Sequence, residues 1–475
     1  MMKKLLLLLV GMVSVLSLMA CEGINFNIGN PDEEEQARFN TIMDILENYH
    51  YSEPSQEDLW QGAIQGMIDT LDDPFSSYYT EEEYEQFQQS LGESFVGVGV
   101  TVENMNDDVV IQRVWQDSPA ERAGLRAGDR ITYVDGDNVE GLSYLETLML
   151  VQGEEGSTVE LGIARSGVDE TLFMEMTREE IPNPTVTYEI FEDGDKTIGY
   201  ISVNSFGHET FEIFEATLND LEESGIEGLI IDLRDNSGGR LDTVVQMMDL
   251  FLIESDKPLF ATETFESGEV NRTEYDATGD EKKPYDIITV INEFSASASE
   301  VFAAAMKQHG EYDVYGLPSF GKGTMQTPFS HRNMNNDELH LSNGIWLTPN
   351  NTWINNIGGD QESLYPTREV KRSEAFDIQN LYILDDPLTY DTVDSRTESL
   401  QKALNALYAF DLRTDGYFDE ATKEAVKTFQ ETYDLTVSGE VDFDTASTLN
   451  ENLIAFRNDY ANDLKIQTAL ETLND

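Results

Sequence analysis

The sequence predicts a multidomain protein with α+β and α/β parts: N-terminal helices, a small mostly-β domain, an α/β core and a small all-α domain. Three observations carry this. The chain has 475 residues, which at roughly 100–200 residues per domain argues for about three domains. A hydrophobic content of 40% with 10% aromatics is too rich for a disordered acidic chain. The spacing of apolar residues also changes along the chain, from helical, to short β-branched runs, to apolar strands alternating with helices, and back to helical.

Charge narrows the partners. Lys and Arg total 29 against 92 Asp and Glu, a formal net charge of −63. Nucleic acid and anionic lipid headgroups both need a basic face, so neither is expected to bind this chain as a whole.

Residues 1–20 hold Lys3 and Lys4, an apolar run from Leu5 to Leu16, and Ala20 before Cys21. These are the parts of a secretory signal, and the run is short for a membrane span. Cys21 is the only cysteine, so no intrachain disulfide can form. The junction resembles the lipobox of bacterial lipoproteins. That resemblance implies cleavage before Cys21, diacylation of its thiol, and a protein held extracytoplasmically on the outer face of a bacterial cell membrane. The alternative is an ordinary signal followed by an incidental cysteine. Residues 21–32, with Gly, Asn and Pro and no periodicity, read as a tether.

In residues 33–92, Phe39, Ile42, Met43, Ile45 and Leu46, then Trp60, Ile64, Met67, Ile68 and Leu71, recur at helical spacing. Two or three amphipathic helices follow. Residues 93–178 alternate β-branched runs (Val98–Val102, Val109–Val114, Arg130–Val134, Thr158–Ile163) with turns such as Asp135-Gly136, and place a helix near Tyr144–Val151. In residues 181–388, strands Ile198–Val203, Gly228–Leu233 and Ile287–Asn292 alternate with helical stretches Thr210–Glu223, Leu241–Phe251 and Ser299–His309. Residues 393–456 are all-helical, with Leu400, Leu404 and Leu407, then Ala425, Val426 and Phe429, and a helical tail covers 457–475.

The chemistry sits in the α/β part. Asn292-Glu293-Phe294-Ser295-Ala296-Ser297-Ala298-Ser299-Glu300 ends an apolar strand and opens an alanine-rich helix. A serine there can present its oxygen beside the free N–H groups of a helix start. Ser297-Ala298-Ser299-Glu300 is equally a capping box, a purely structural reading. Further on comes Phe320-Gly321-Lys322-Gly323-Thr324-Met325-Gln326. Lysine between two glycines is hard to explain by packing; the alternatives are a phosphate-binding loop, which lacks the required spacing, and an exposed surface turn. Gln326 lies four residues on, on the lysine's side in helical or extended geometry.

Together these residues resemble the C-terminal processing peptidases, tail-specific serine proteases with a Ser-Lys dyad. The resemblance implies Ser297 as nucleophile, Lys322 as base and Gln326 as the residue that orients the lysine. Ile230-Ile231-Asp232-Leu233-Arg234-Asp235-Asn236-Ser237-Gly238-Gly239 matches the family's strand end and glycine turn. It implies an oxyanion hole built from backbone N–H groups of Ala298 and of Gly238 or Gly239. An ammonium cannot accept a proton, so Lys322 must be neutral when Ser297 attacks, which requires burial to lower its pKa.

Gly97-Val98-Gly99-Val100 and the run Ser118-Pro119-Ala120-Glu121-Arg122-Ala123-Gly124-Leu125-Arg126-Ala127-Gly128-Asp129 resemble a PDZ domain. This implies capture of a substrate's free C-terminus by strand addition, with N–H groups of the Gly97–Val100 loop on the carboxylate. Ser399-Leu400-Gln401-Lys402-Ala403-Leu404, Asp415-Gly416-Tyr417-Phe418-Asp419 and Ala425-Val426-Lys427-Thr428-Phe429-Gln430 resemble a peptidoglycan-binding domain, with glycopeptide as the implied partner; a helical scaffold without ligand is the alternative.

His50, His208, His309, His331 and His340 are scattered outside these motifs, so a histidine base is disfavoured. No histidine pair has the i, i+4 spacing of a helical metal site, and no cofactor is implied. Family members often pair through terminal helices, which makes residues 33–92 candidates for a homodimer interface. The expected function is serine endopeptidase. The rival is a non-catalytic scaffold of PDZ and wall-binding modules, which has no chemical need for serine, lysine and glutamine together.

Overall fold

The computed structural model describes residues 33–475 apart from 82, 85–93, 106–107, 143, 169, 193, 332–333, 335, 357–362 and 385. The signal, the tether and Cys21 lie outside the described residues. The chain divides into two compact units: residues up to 92 with Thr185–Glu369, and Glu93–Pro184 with Val370–Leu473.

The first unit opens with α1 (Glu33–Tyr49) and α2 (Gln56–Asp69). Helix α2 starts where Ser55 and Asp58 cap each other, Oγ accepting the Asp58 N–H at 3.1 Å and the Asp58 carboxylate accepting the Ser55 N–H at 3.2 Å. Their expected apolar positions are largely uncovered in this chain, with Ile42 52%, Ile45 50% and Met67 64% exposed. A turn through Asp73–Ser76 leads into β1 (Ser77–Tyr79).

The chain then enters the second unit: β2 (Ser94–Gly97), β3 (Val100–Met105), β4 (Asp108–Val114), α3 (Pro119–Ala123), β5 (Arg130–Val134), β6 (Asp137–Asn138), α4 (Tyr144–Val151), β7 (Thr158–Ala164), β8 (Leu172–Thr177) and β9 (Glu179–Pro182). Strands β3-β4-β5-β7-β8 form an antiparallel sheet, and β2 pairs with β9. Alternating residues such as Val159, Leu161 and Ile163 face its core. The strand expected from Val98 begins only at Val100, because Gly99 has φ +81° and a side chain there would meet Ser118 Cβ at 2.3 Å.

Back in the first unit come β10 (Val186–Phe191), β11 (Ile198–Val203), α5 (Thr210–Glu223), β12 (Gly228–Asp232), α6 (Leu241–Asp249), β13 (Phe260–Glu266), β14 (Glu269–Tyr275), β15 (Asp286–Ile291), α7 (Ala298–Gln308), β16 (Asp313–Gly316), β17 (Thr324–Phe329), β18 (Glu338–Leu347) and β19 (Arg368–Glu369). One sheet runs β10-β11-β12-β15-β16-β19 and is parallel from β11 onward. Continuous burial of Gly228–Asp232 is what a parallel strand covered on both faces needs. Since β12, β15 and β16 are neighbours, the loops leaving their carboxyl ends meet. A second, antiparallel sheet joins β1, β13, β14, β17 and β18. The apolar pattern did not announce it, since β14 is exposed along nearly its whole length.

The chain ends in the second unit with α8 (Ser395–Tyr408), α9 (Glu420–Thr432), α10 (Phe443–Asn458) and α11 (Leu464–Asn474). An aspartate caps each one: Asp394, Asp419, Asp442 and Asp463 accept helix N–H groups at 2.8–3.0 Å, so part of the acidity stabilises helix starts. Residues 370–388, expected with the α/β core, instead join these helices. Ala375, Ile378, Leu381, Ile383 and Leu388 fill a cluster with Leu404, Val426 and Phe429, and Leu388 exchanges backbone hydrogen bonds with Val441. Among the described residues no helix is long and apolar enough to cross a membrane.

Candidate active site

After β15 the chain turns through 292–296 into α7. Two of its three serines have their hydroxyls committed: Ser295 Oγ donates to the Leu233 carbonyl at 2.8 Å, and Ser299 Oγ to the Asn236 carbonyl at 2.8 Å. Ser297 stands apart by its backbone, φ 54° and ψ −116° at the N-cap of α7. Side chains rarely adopt that conformation, and it costs about 1–3 kcal/mol unless the surroundings enforce it. Here the Glu300 carboxylate accepts the Ser297 N–H at 2.8 Å.

The glycine turn after β12 lies against this serine. A side chain on Gly238 would come within 3.0 Å of Ser297 Cβ and of the Ala298 nitrogen, and Gly239 is pressed against the Phe206 backbone. Asn236 fixes the turn: its Oδ1 accepts the Gly238 N–H at 2.8 Å, its Nδ2 donates to Val203, and its carbonyl accepts the Ala296 N–H at 3.1 Å. The Gly238 N–H is thus engaged here. Ala298, as the first helical residue, has no intrahelical acceptor for its own.

After β16 the chain passes through Ser319 to Lys322. The glycines beside the lysine do have a packing reason, which the sequence reading missed. Gly321 has φ +87°, and a side chain on Gly323 would meet the Ile354 carbonyl at 1.7 Å. The lysine has none: it is 1% exposed, with Nζ 4.4 Å from the centroid of the Phe75 ring and its carbonyl accepting Trp346 Nε1–H at 2.8 Å. Burial lowers its pKa from 10.5 to about 7, against the opposing pull of the Asp73 and Glu300 carboxylates. That shift is about 5 kcal/mol against the ammonium, more than the roughly 0.5–2 kcal/mol by which a ring face attracts a cation.

Glu300 is the residue whose importance the sequence understated. It read as the third residue of a capping box, yet it is fully buried and serves both loops. Besides the Ser297 N–H it accepts Ser319 Oγ–H at 2.6 Å, the Gly321 N–H at 2.7 Å and the Lys322 N–H at 2.8 Å. Burial raises its pKa, and these four hydrogen bonds pull the other way.

Gln326 is 2% exposed on β17. The pairing of β17 with β18 shifts register between Met325 and Gln326, with the extra residue, Asn343, on β18. Nε2 donates to Ser342 Oγ at 2.8 Å, and Oε1 is buried without a hydrogen-bond partner. The carboxamide therefore does not hold Lys322 in this structure.

In the β domain, Gly97, Val98, Gly99 and Val100 link β2 to β3. Val98 points into the domain core, while the Val98 and Gly99 carbonyls accept N–H groups of Ala120 at 2.8 Å and Trp115 at 2.9 Å. Of the histidines, His340 is buried on β18 between the rings of Tyr79 and Tyr84, and burial lowers its pKa to about 4. It belongs to none of the three loops.

Three loops at adjacent strand ends, a strained buried serine and a buried lysine titrating near neutrality define a serine-type peptidase core. The Peptidase family S41 model matches residues 197–362, a PDZ domain residues 96–175, a peptidoglycan binding domain residues 394–449, and the N-terminal domain of the activating protease CtpB residues 24–83. The chain is 36% identical over 430 residues to the carboxy-terminal processing protease CtpB of Bacillus subtilis (strain 168), covering 90% of this chain and 87% of that one. It is 30% identical over 438 residues to CtpA of the same organism, covering 92% and 90%. The chain belongs to the carboxy-terminal processing proteases of peptidase family S41.

Two outcomes follow from this geometry. Glu300→Gln places an NH2 group among four donors; it should lower kcat/KM at least about 100-fold, the equivalent of about 2.7 kcal/mol, and destabilise the protein by about 2–4 kcal/mol in urea denaturation. For Lys322 the folded pKa of about 7 lies below the unfolded 10.5. The unfolded chain therefore binds more protons between those values, and stability rises with pH across that window. Lys322→Met should be more stable than the parent at pH 7, with the difference shrinking toward pH 10.5.

Proposed function

We propose that this protease cleaves near substrate C-termini through a Ser297–Lys322 dyad and an acyl-enzyme, outside the cytoplasm. The observation that carries the reading is the burial of Lys322, which makes a neutral amine available near pH 7. In the forward step Lys322 takes the Ser297 proton as Oγ attacks the peptide carbonyl. The tetrahedral oxyanion is received by the Ala298 N–H and the glycine turn, where either the Gly238 N–H leaves Asn236 or Gly239 supplies the donor. The ammonium then protonates the leaving amine. Water, deprotonated by the same lysine, releases the acyl group and restores Ser297. Gln326, whose Oε1 awaits a donor, is suited to orient the ammonium formed in these steps.

The PDZ domain would deliver the substrate's free carboxylate to the N–H groups of the Gly97–Val100 loop, whose carbonyls are already engaged. The C-terminal helices would retain the enzyme on peptidoglycan, and lipidated Cys21 would hold it on the membrane's outer face. The uncovered faces of α1 and α2 suit a homodimer.

Cleavage of a peptide with a free apolar C-terminus should fall at least about 1,000-fold in Ser297→Ala and in Lys322→Ala; full activity in either variant rules out the dyad. In the parent, kcat/KM should rise with pH to a midpoint near 7. Added salt should move that midpoint lower, because it screens the surface acids that favour the ammonium. Cys21→Ser, expressed in a bacterial host, should shift the protein from the membrane fraction to the soluble fraction; unchanged membrane association would remove the anchor.

A further inference from the structure

Phe75, the ring beside Lys322, lies in none of the three catalytic loops. It sits in the turn Asp73–Ser76, where the N-terminal helices meet β1, and is 5% exposed. That turn is fastened to the sheet that carries Gln326. Strand β1 pairs with β18, Ser77 opposite His340. Ser76 Oγ accepts the Ser342 N–H at 3.0 Å and donates to Asp73 Oδ2 at 2.5 Å, while the Phe75 N–H donates to Asp73 Oδ1 at 3.2 Å. Ser342 Oγ in turn accepts from Gln326 Nε2 at 2.8 Å. Hydrogen bonds thus run from the turn through Ser342 to Gln326, and the ring they support closes over the lysine.

We propose that the turn Asp73–Ser76 is part of the catalytic centre, with Phe75 as a positioning residue that keeps water from Lys322 and Asp73 and Ser76 holding that wall in place. This rests on Lys322 being the base. The N-terminal segment then does more than assemble the protein: it completes the pocket in which the amine stays neutral.

The groups around Lys322 make the proposal one of sign. Asp73 from the turn and Glu300 from α7 are carboxylates that favour the ammonium, and the face of the Phe75 ring also attracts a cation. Dehydration alone opposes them. Removing the wall must therefore make the lysine harder to deprotonate, and removing the Asp73 charge must make it easier.

The test is kcat/KM against pH from 5.5 to about 10.5, for the full-length chain on a peptide with a free C-terminus. In Phe75→Ala the alkaline rise should move up by about one pH unit or more, with most activity recovered above the new midpoint. Phe75→Leu, which keeps the wall apolar, should stay near the parent. Asp73→Asn should move the midpoint down. An unmoved midpoint in Phe75→Ala, or a loss by the same factor at every pH, overturns the proposal and leaves a packing role only. Should Phe75→Ala lose its cooperative melt, Ser76→Ala decides, because it loosens the wall and leaves every charge in place: a midpoint unchanged or shifted downward overturns the proposal. Lys322→Ala separates the two claims, since activity with the same pH profile in that variant defeats the dyad itself, whereas an inactive Lys322→Ala beside an unmoved Phe75→Ala midpoint defeats only the role of the turn.

Discussion

The Glu300 carboxylate, buried in the first turn of α7, takes donors from the loop that holds Ser297 and from the loop that holds Lys322. A carboxylate without water is tolerated only when its lone pairs are satisfied, and here backbone N–H groups supply most of that satisfaction. The constraint works in both directions. The anion needs both loops in place, and the loops, one with a serine at φ 54° and one threaded between glycines, need the anion to stay where they are. Parallel pairing of β12, β15 and β16 brings their ends together; Glu300 sets the finer register.

That arrangement carries an electrostatic tension. The carboxylate that fixes the Lys322 backbone also favours the Lys322 ammonium, as does Asp73. A chain with −63 formal charges adds a diffuse field of the same sign. Salt screens that field over about 8 Å at roughly 0.15 M, whereas a pocket with a 1%-exposed lysine is not screened. The larger part of the contest is therefore local, between two nearby acids and the loss of water, with the surface field a smaller, salt-dependent addition. Acidic surface and dry interior are compatible because they act at different ranges. Many of the acids also have local work of their own, as the four aspartates at the starts of α8 to α11 show.

Much of this was legible in the sequence because it is local. The strand–turn–helix around Ser297, the glycine-flanked lysine and the helices of the α/β core each occupy a dozen residues or so, and their patterns name them. What escaped reading is what only tertiary pairing creates. Strands β13, β14, β17 and β18 form a sheet in which β14 presents polar residues almost throughout, so no alternation marked it. Counting set Gln326 on the lysine's side, but could not show that its Nε2 is taken by Ser342 while its Oε1 has no hydrogen-bond partner. Residues 370–388 lack a helical or strand period, and their apolar side chains found the C-terminal cluster instead. Glu300 was visible only as a capping residue; nothing local shows that its second oxygen faces another loop.

Phe75 belongs to that same class, and it shows how far the burial of Lys322 depends on distant chain. A lysine in water keeps its proton at neutral pH and cannot activate a serine. The wall that dries Lys322 is held by a strand pairing between Ser77–Tyr79 and Glu338–His340 and by Ser76 on Ser342, contacts that form only when the N-terminal segment docks on the sheet. Without those contacts nothing would hold the Phe75 ring over Nζ, so the dryness of the amine is a property of the paired sheet and not of the lysine loop alone.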